Sequence, residues 1–180
     1  REKVEGLEIV DESKKMDVAL LIYGSPLTAT THISLIQEAK RLGTKYKVIY
    51  NASIVDAVAE TGLQLYKFGK IASMPKWKPS YEPDSFMEII QQNSSIKAHS
   101  LILCDIGLDF QGALIQLEIS AEKYKFPLKK LVVCQALGTK HGKIFYKNIK
   151  DLKEFTGVRK PFSIIIPSEL HFLEREMVEE

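Results

Sequence analysis

The stretch VALLIYGSPLTATTHISLI, residues 18–36, decides the fold class of this 180-residue chain. It begins as an unbroken apolar run, is interrupted by Gly-Ser-Pro at residues 24–26, and resumes an apolar pattern after threonines and a histidine. An apolar run of this length is typical of a strand covered on both faces of a parallel sheet. Leu35 and Ala39 then lie at helical spacing, and Gly43 predicts the end of that helix. Strand, polar turn and helix in succession predict an α/β fold.

The same alternation continues along the rest of the chain. Short apolar runs predict further strands, and apolar residues three or four positions apart predict further helices. The predicted strands lie at 46–50, 100–105, 131–134, 143–146 and 162–166, and the predicted helices start near Ser53, Ser85, Leu114, Leu152 and Leu170. The less regular stretch at residues 63–82, with prolines at 75, 79 and 83, indicates a connection between two domains, which we place at 1–70 and 71–180.

Composition excludes several classes of function. The formal net charge of +2 does not provide the basic surface expected of a nucleic-acid or membrane-surface binder. No apolar stretch is long enough to span a membrane. Cys104 and Cys134 lack metal-ligand spacing, so we expect free core thiols in a reducing compartment and no metal site. These features predict a cytoplasmic protein.

Three segments at predicted strand ends could line a ligand site, because ligands of open α/β sheets bind beyond the carboxyl ends of the strands. They are residues 24–31, 51–53 and 105–107. The simpler interpretation is that Thr30 or Thr31 caps one helix and Ser53 another, and spacing alone favours capping. Residues 137–143 look like a phosphate-binding loop, but they lack its first glycine and its final Ser or Thr, so we predict a turn between strands.

Five longer segments are similar, in order and spacing, to the diphthine synthase family of the tetrapyrrole-methylase-like superfamily. They are GSPLTATTH from residue 24, YNASIVDAV from 50, TGLQLYKFGK from 61, LILCDI from 101 and IIIPSELHFLE from 164. The resemblance implies a two-domain α/β methyltransferase that binds S-adenosylmethionine or S-adenosylhomocysteine in the cleft between its domains. It also implies methylation of the amino group of a modified histidine on translation elongation factor 2, in diphthamide biosynthesis, by a homodimer.

The resemblance assigns the cofactor contacts residue by residue. Position by position they are Ser25, Thr28, Ser53, Ile54, Cys104, Leu137 and Phe162. It implies no dedicated catalytic residue, because a neutral amine that is correctly positioned can attack the methyl group of a sulfonium directly.

This sequence departs from the family pattern at two of these positions. Ser25 replaces the aspartate of Gly-Asp-Pro, and Phe162 replaces the histidine of Pro-Pro-His-Ser. Arg1 also aligns inside the first domain, so we expect the first β/α units of that domain to be absent and the sheet edge to be buried by them or by a second copy. Three hypotheses remain open, one of which is a related methylase that acts on a small molecule; the other two concern diphthine synthase itself. One is an active diphthine synthase, and the other is a degenerate, non-catalytic homologue that serves as a binding or dimerisation module.

Overall fold

The computed structural model describes residues 8–179, and the chain divides into two compact units, with the boundary between Ser53 and Ile54. The described part of the first unit contains two helices, α1 (Glu8–Glu12) and α2 (Ile33–Arg41). The predicted end of α2 is confirmed. Gly43 takes the left-handed φ of 65°, which a glycine adopts without strain, and the following amide donates to the carbonyl of Ala39 at 2.9 Å.

The two strands predicted in the first unit are wrong for the described residues. Residues 17–22 and 44–50 form neither helix nor strand, and Leu21 and Ile49 are 92% and 78% exposed. A strand needs a neighbour for its backbone N–H and C=O groups, and neither run pairs with the other. Residues of both runs line one cavity of about 690 Å³ instead. The apolar side chains that suggested strands are present, but these two runs do not form a sheet.

The second unit follows the predicted alternation closely. It opens with α3 (Ile54–Ala57) and the 3-10 helices Val58–Thr61 and Leu65–Lys67. The remaining elements are β1 (Ala72–Met74), α4 (Phe86–Ser95), β2 (Ser100–Cys104), α5 (Phe110–Lys123), β3 (Lys130–Gln135), β4 (Lys143–Asn148), α6 (Ile149–Glu154), β5 (Phe162–Ile166) and α7 (Phe172–Glu179). The strands predicted from residue 100 onward are confirmed. The predicted domain division after residue 70 stays a prediction. The division into compact units is a different one and falls after Ser53.

The five strands form one mixed sheet in the order β1-β2-β5-β3-β4. Only β1 and β2 pair in parallel; the other three pairs are antiparallel, so the expectation of a parallel sheet does not hold in this unit. The turn at residues 136–142 is short, and a short turn joins antiparallel neighbours because a parallel connection needs a longer crossover.

Each face of this sheet carries its own apolar core. On one face, which we call the helix face, Ile102, Val133 and Ile164 pack beneath α4, α5 and α6. On the opposite face, alternate residues such as Leu101 and Val132 pack against the 3-10 segment and α7. This division follows from the two-residue period of a strand.

A buried ionic cluster holds α7 to the 3-10 segment. Glu174 is fully buried, and its carboxylate accepts from Nζ of Lys67 (2.5 Å), from Nε2 of His99 (3.1 Å) and from the backbone amides of Gln64 (2.9 Å) and His171 (2.7 Å). Burial alone would raise the pKa of Glu174, but these hydrogen bonds outweigh it and lower the pKa to about 2. The side chain is therefore ionised at neutral pH.

The partner histidine of this cluster is neutral. Nδ1 of His99 accepts from the amide of Ser168 at 2.9 Å, so the ring proton is on Nε2, where it donates to Glu174. Burial lowers the pKa of His99, although Glu174 opposes the shift. A second ring proton would displace the Ser168 amide.

The predicted threonine cap of α2 is wrong, because the residue before α2 is His32. Ser85, at the start of α4, also makes no side-chain cap. The cap that forms was not predicted: Asp109 accepts from the amide of Gly112 at 2.9 Å at the start of α5. Within residues 8–179, no helix is long and apolar enough to cross a membrane.

Candidate functional site

Three predicted cofactor positions of the second unit lie at one end of its sheet. Because β5 runs antiparallel to both β2 and β3, the carboxyl ends of those two strands meet the amino end of β5. Ser163 pairs with Leu103 on one side and Cys134 on the other, and Phe162 pairs with Gln135. Cys104, Leu137 and Phe162 are therefore gathered by strand register, although 58 residues of sequence separate the first from the last (162 minus 104).

The side chains of these positions face both sides of the sheet. Cys104 and Phe162 pack against the core of the helix face, and Phe162 meets Phe110 edge to face at 5.5 Å between ring centroids. Leu137 packs against the opposite core, together with Ile54. The structure thus places Ile54 and Leu137 on one side and Cys104 and Phe162 on the other.

The cysteine at this end is not a nucleophile. Burial raises the pKa of the Cys104 thiol to about 12, and burial also raises the pKa of Cys134 to about 12. Only the thiolate reacts readily, so neither side chain is ionised at neutral pH. Both thiols are free, as predicted from their spacing.

Ser163 is a polar residue of this end that the sequence did not single out. It is 3% exposed, and its hydroxyl lies close enough to the Cys134 thiol to lower the pKa of that thiol, against the larger effect of burial, although it makes no hydrogen bond of normal geometry with a described residue. A buried unpaired hydroxyl is costly unless a ligand or water completes it. Asp105, at a predicted ligand-binding strand end, instead accepts from the amide of Gly107 at 2.7 Å and closes its own turn.

The first unit groups the remaining predicted positions. The hydroxyl of Thr28 donates to Ser25 at 2.9 Å, which links the two residues across the turn. Gly24, at φ 78°, lies so that an added Cβ would be 3.5 Å from the carbonyl of Ala52, the neighbour of Ser53. The turn that begins at Gly24 therefore lies beside Ala52, which precedes Ser53, the last residue of the first unit.

His32 stabilises the same turn. Its Nδ1 lies 3.0 Å from the carbonyl oxygen of Pro26, which can only accept, so Nδ1 carries the proton and donates. This contact gives His32 a structural role in holding the loop that carries Ser25 and Thr28.

The residue types at the sheet end of the second unit suit an organic cofactor, because cofactor sites are lined mainly by apolar side chains with a few polar groups. No group of His, Cys, Asp or Glu within the described ranges could hold a metal ion. Which atoms of a cofactor each residue contacts stays a prediction.

Comparison with known proteins agrees with this architecture. The family model for Tetrapyrrole (Corrin/Porphyrin) Methylases matches residues 1–153. A diphthine synthase of Methanococcus vannielii is 37% identical over 190 residues, which cover 98% of this chain and 74% of that protein. An Arabidopsis thaliana protein named as a diphthine methyl ester synthase is 46% identical over 99 residues, covering 55% of this chain and 36% of its own length.

A solved structure gives the same result for the fold. A crystal structure from Entamoeba histolytica, assigned as a diphthine synthase, superposes with a TM-score of 0.86 at 29% identity and covers 96% of this chain and 73% of that one. The expected tetrapyrrole-methylase-like fold is thereby confirmed. The chain belongs to the tetrapyrrole methylase family, as an S-adenosylmethionine-dependent methyltransferase of the diphthine synthase type.

Proposed function

We propose that this protein is a diphthine synthase, which methylates the amino group of the modified histidine on translation elongation factor 2 during diphthamide biosynthesis. The observation that carries the proposal is the similarity to a diphthine synthase over 98% of this chain. The gathering of Cys104, Leu137 and Phe162 at one end of the sheet supports it. We further propose that the protein acts in the cytoplasm as a homodimer.

The bound cofactor supplies a methyl group on a sulfonium. On this proposal the cofactor contacts are the seven positions that the family resemblance assigns, of which Cys104, Leu137 and Phe162 lie at one end of the sheet of the second unit. Their contribution is to position the donor and exclude water, since correct orientation alone provides a large part of the rate of such a transfer. No thiol takes part, because burial raises the pKa of Cys104 to about 12.

Methyl transfer to the protein substrate is the direct test. The chain is incubated with radiolabelled S-adenosylmethionine and elongation factor 2 that carries the unmethylated precursor, and label on the factor is counted. We expect label on the precursor form and none on a factor whose target histidine is replaced by alanine. Equal label on both forms, or none on either, contradicts the proposal.

A second acceptor is favoured by the similarity to the Arabidopsis protein, whose name specifies a methyl ester. An ester requires a carboxylate oxygen as the acceptor rather than an amine. Mild alkali separates the two outcomes, because it hydrolyses a methyl ester to methanol and leaves an N-methyl group in place. Volatile label after alkali treatment supports the ester, and retained label supports the amine.

The non-catalytic alternative is favoured by Ser25 and Phe162, which differ from the family pattern. In the structure, Phe162 packs against Phe110, so its ring serves the apolar core. Calorimetry with S-adenosylhomocysteine discriminates the hypotheses independently of turnover. Binding in the micromolar range supports the enzyme, whereas a lack of binding supports a binding or dimerisation module.

A further inference from the structure

Four basic residues lie on two neighbouring segments at the end of the sheet that carries Cys104 and Phe162, which we call the cofactor end, and we call these four residues the basic rim. They are Lys140 and Lys143, at the turn between β3 and β4, and Arg159 and Lys160, in the segment before β5. All four are exposed. None forms an ion pair with another described residue, although seven ion pairs occur elsewhere in the described chain.

A single buried side chain brings the two segments together. Gln135 is 5% exposed; its Oε1 accepts from the amide of Arg159 at 2.6 Å, and its Nε2 donates to the carbonyl of His141 at 3.4 Å. The next amide, of Ala136, donates to the carbonyl of Pro161 at 3.0 Å. Lys143 faces Gln135 across the β3–β4 pair. The rim is thus built on a buried frame rather than on two independent loops.

Like charges held close together repel one another, so an uncompensated cluster is costly unless an anionic partner approaches it. The nearby carboxylate of Asp109 reduces this repulsion in part. Its pKa is lowered first by the amide of Gly112 and, more weakly, by Lys160 and Lys76. Asp109 is already engaged as the cap of α5, and the remaining positive charge faces solvent.

The methyl donor is a poor occupant for this charge. S-adenosylmethionine carries a sulfonium and an ammonium against one carboxylate, so its net charge is positive. A long nucleic acid is also a poor occupant, because the net charge of the chain is only +2. The remaining candidate for an anionic occupant is the molecule that carries the methyl acceptor. In the proposed function that molecule is a protein.

We infer that the basic rim docks an acidic segment of the protein substrate next to the cofactor end of the sheet. This inference rests on the proposed function. Exposed charges of this kind orient and attract a partner rather than drive the chemical step. The rim therefore controls the KM for the protein substrate and the dependence of that KM on salt, and it leaves kcat unchanged.

A pair of charge-reversal variants tests the inference. The test variant is K143E/R159E, which reverses one charge in each segment and keeps the backbone amide that Gln135 binds. The matched control is K129E/K150E, which reverses two exposed lysines at the opposite end of the sheet, where Lys130 pairs with Asn148. Circular dichroism of both variants checks that they are folded.

Two measurements are made with each protein at low salt. The first is fluorescence anisotropy of a labelled decaglutamate peptide, which requires no methyl transfer. The second is steady-state methylation of precursor-bearing elongation factor 2. For K143E/R159E we expect peptide binding to weaken and KM to rise about tenfold, with kcat within about twofold of wild type. For the control variant we expect the affinity for the peptide and the KM to stay within about twofold of wild type.

Equal effects of the two variants, or a fall in kcat with an unchanged KM, would overturn the inference. Tighter binding of a single-stranded RNA oligonucleotide than of the peptide would overturn it as well, by identifying a nucleic-acid surface. If wild-type protein does not methylate the factor, the proposed function fails. The anisotropy measurement still reports separately whether the rim binds acidic polypeptide.

Discussion

Replacement of Glu174 by glutamine tests the buried ionic cluster that anchors α7. The pKa of Glu174 is about 2, against an ordinary value of 4.5. At 1.36 kcal/mol per pH unit, this difference means that ionised Glu174 stabilises the fold by about 3 kcal/mol at neutral pH. Breaking a buried pair by removing one partner costs about 3–5 kcal/mol. Lys67 retains some access to water, so we expect the lower end, about 3 kcal/mol.

Urea unfolding followed by fluorescence measures this loss. The chain has one tryptophan, Trp77, whose Nε1 donates to the carbonyl of Pro83 at 3.0 Å in the second unit. Glu169→Gln is the matched control. It makes the same chemical change in an exposed pair with Lys97, and exposed pairs contribute little. An unchanged unfolding midpoint for Glu174→Gln, or an equal shift for both variants, would refute the reasoning.

The same cluster predicts how stability depends on pH. Burial lowers the pKa of His99 below its ordinary 6.5, so the imidazole takes up its second ring proton at a higher pH in the unfolded chain than in the folded one. The free energy of unfolding therefore falls as the pH drops below 6.5. The contribution of Glu174 is complete above pH 4.5 and is lost as the pH falls towards 2. The difference in free energy of unfolding between wild type and Glu174→Gln should therefore narrow steadily as the pH falls from 4.5 to 3. A constant difference across that range contradicts the pKa assigned to Glu174.

Three further predictions concern single sites. Because burial raises the pKa of Cys104 and Cys134 to about 12, native protein at pH 8 should be alkylated by iodoacetamide far more slowly than urea-unfolded protein, as mass spectrometry will show; equal rates argue against buried thiols. Asp109→Ala removes the cap of α5 and should lower the free energy of unfolding by about 1 kcal/mol, whereas an unchanged value would mean that the cap is not formed in solution. Gly62→Ala should cost about 1–3 kcal/mol, since the residue has φ 78° and the new Cβ would lie 2.3 Å from Cβ of Met177; a neutral effect in urea unfolding contradicts this packing.

The amino-acid sequence by itself determined the class of the fold and most of the second unit. The runs at 100–105, 131–134 and 162–166 were recognisable as strands because they are apolar and bounded by polar turns. The turn at 137–143 could be separated from a phosphate-binding loop by its missing residues. The cofactor positions came from a family resemblance rather than from spacing, which alone favoured simple helix caps.

The tertiary structure alone decided which of these pieces meet. The antiparallel placement of β5 between β2 and β3 brings Phe162 to the same sheet end as Cys104 and buries the hydroxyl of Ser163 beside the Cys134 thiol. Glu174 and Lys67 are 107 residues apart in sequence, so no local pattern could predict their contact. In the first unit the apolar runs were read correctly as apolar but wrongly as strands. Strand formation depends on a hydrogen-bonded neighbour, which a residue pattern cannot supply.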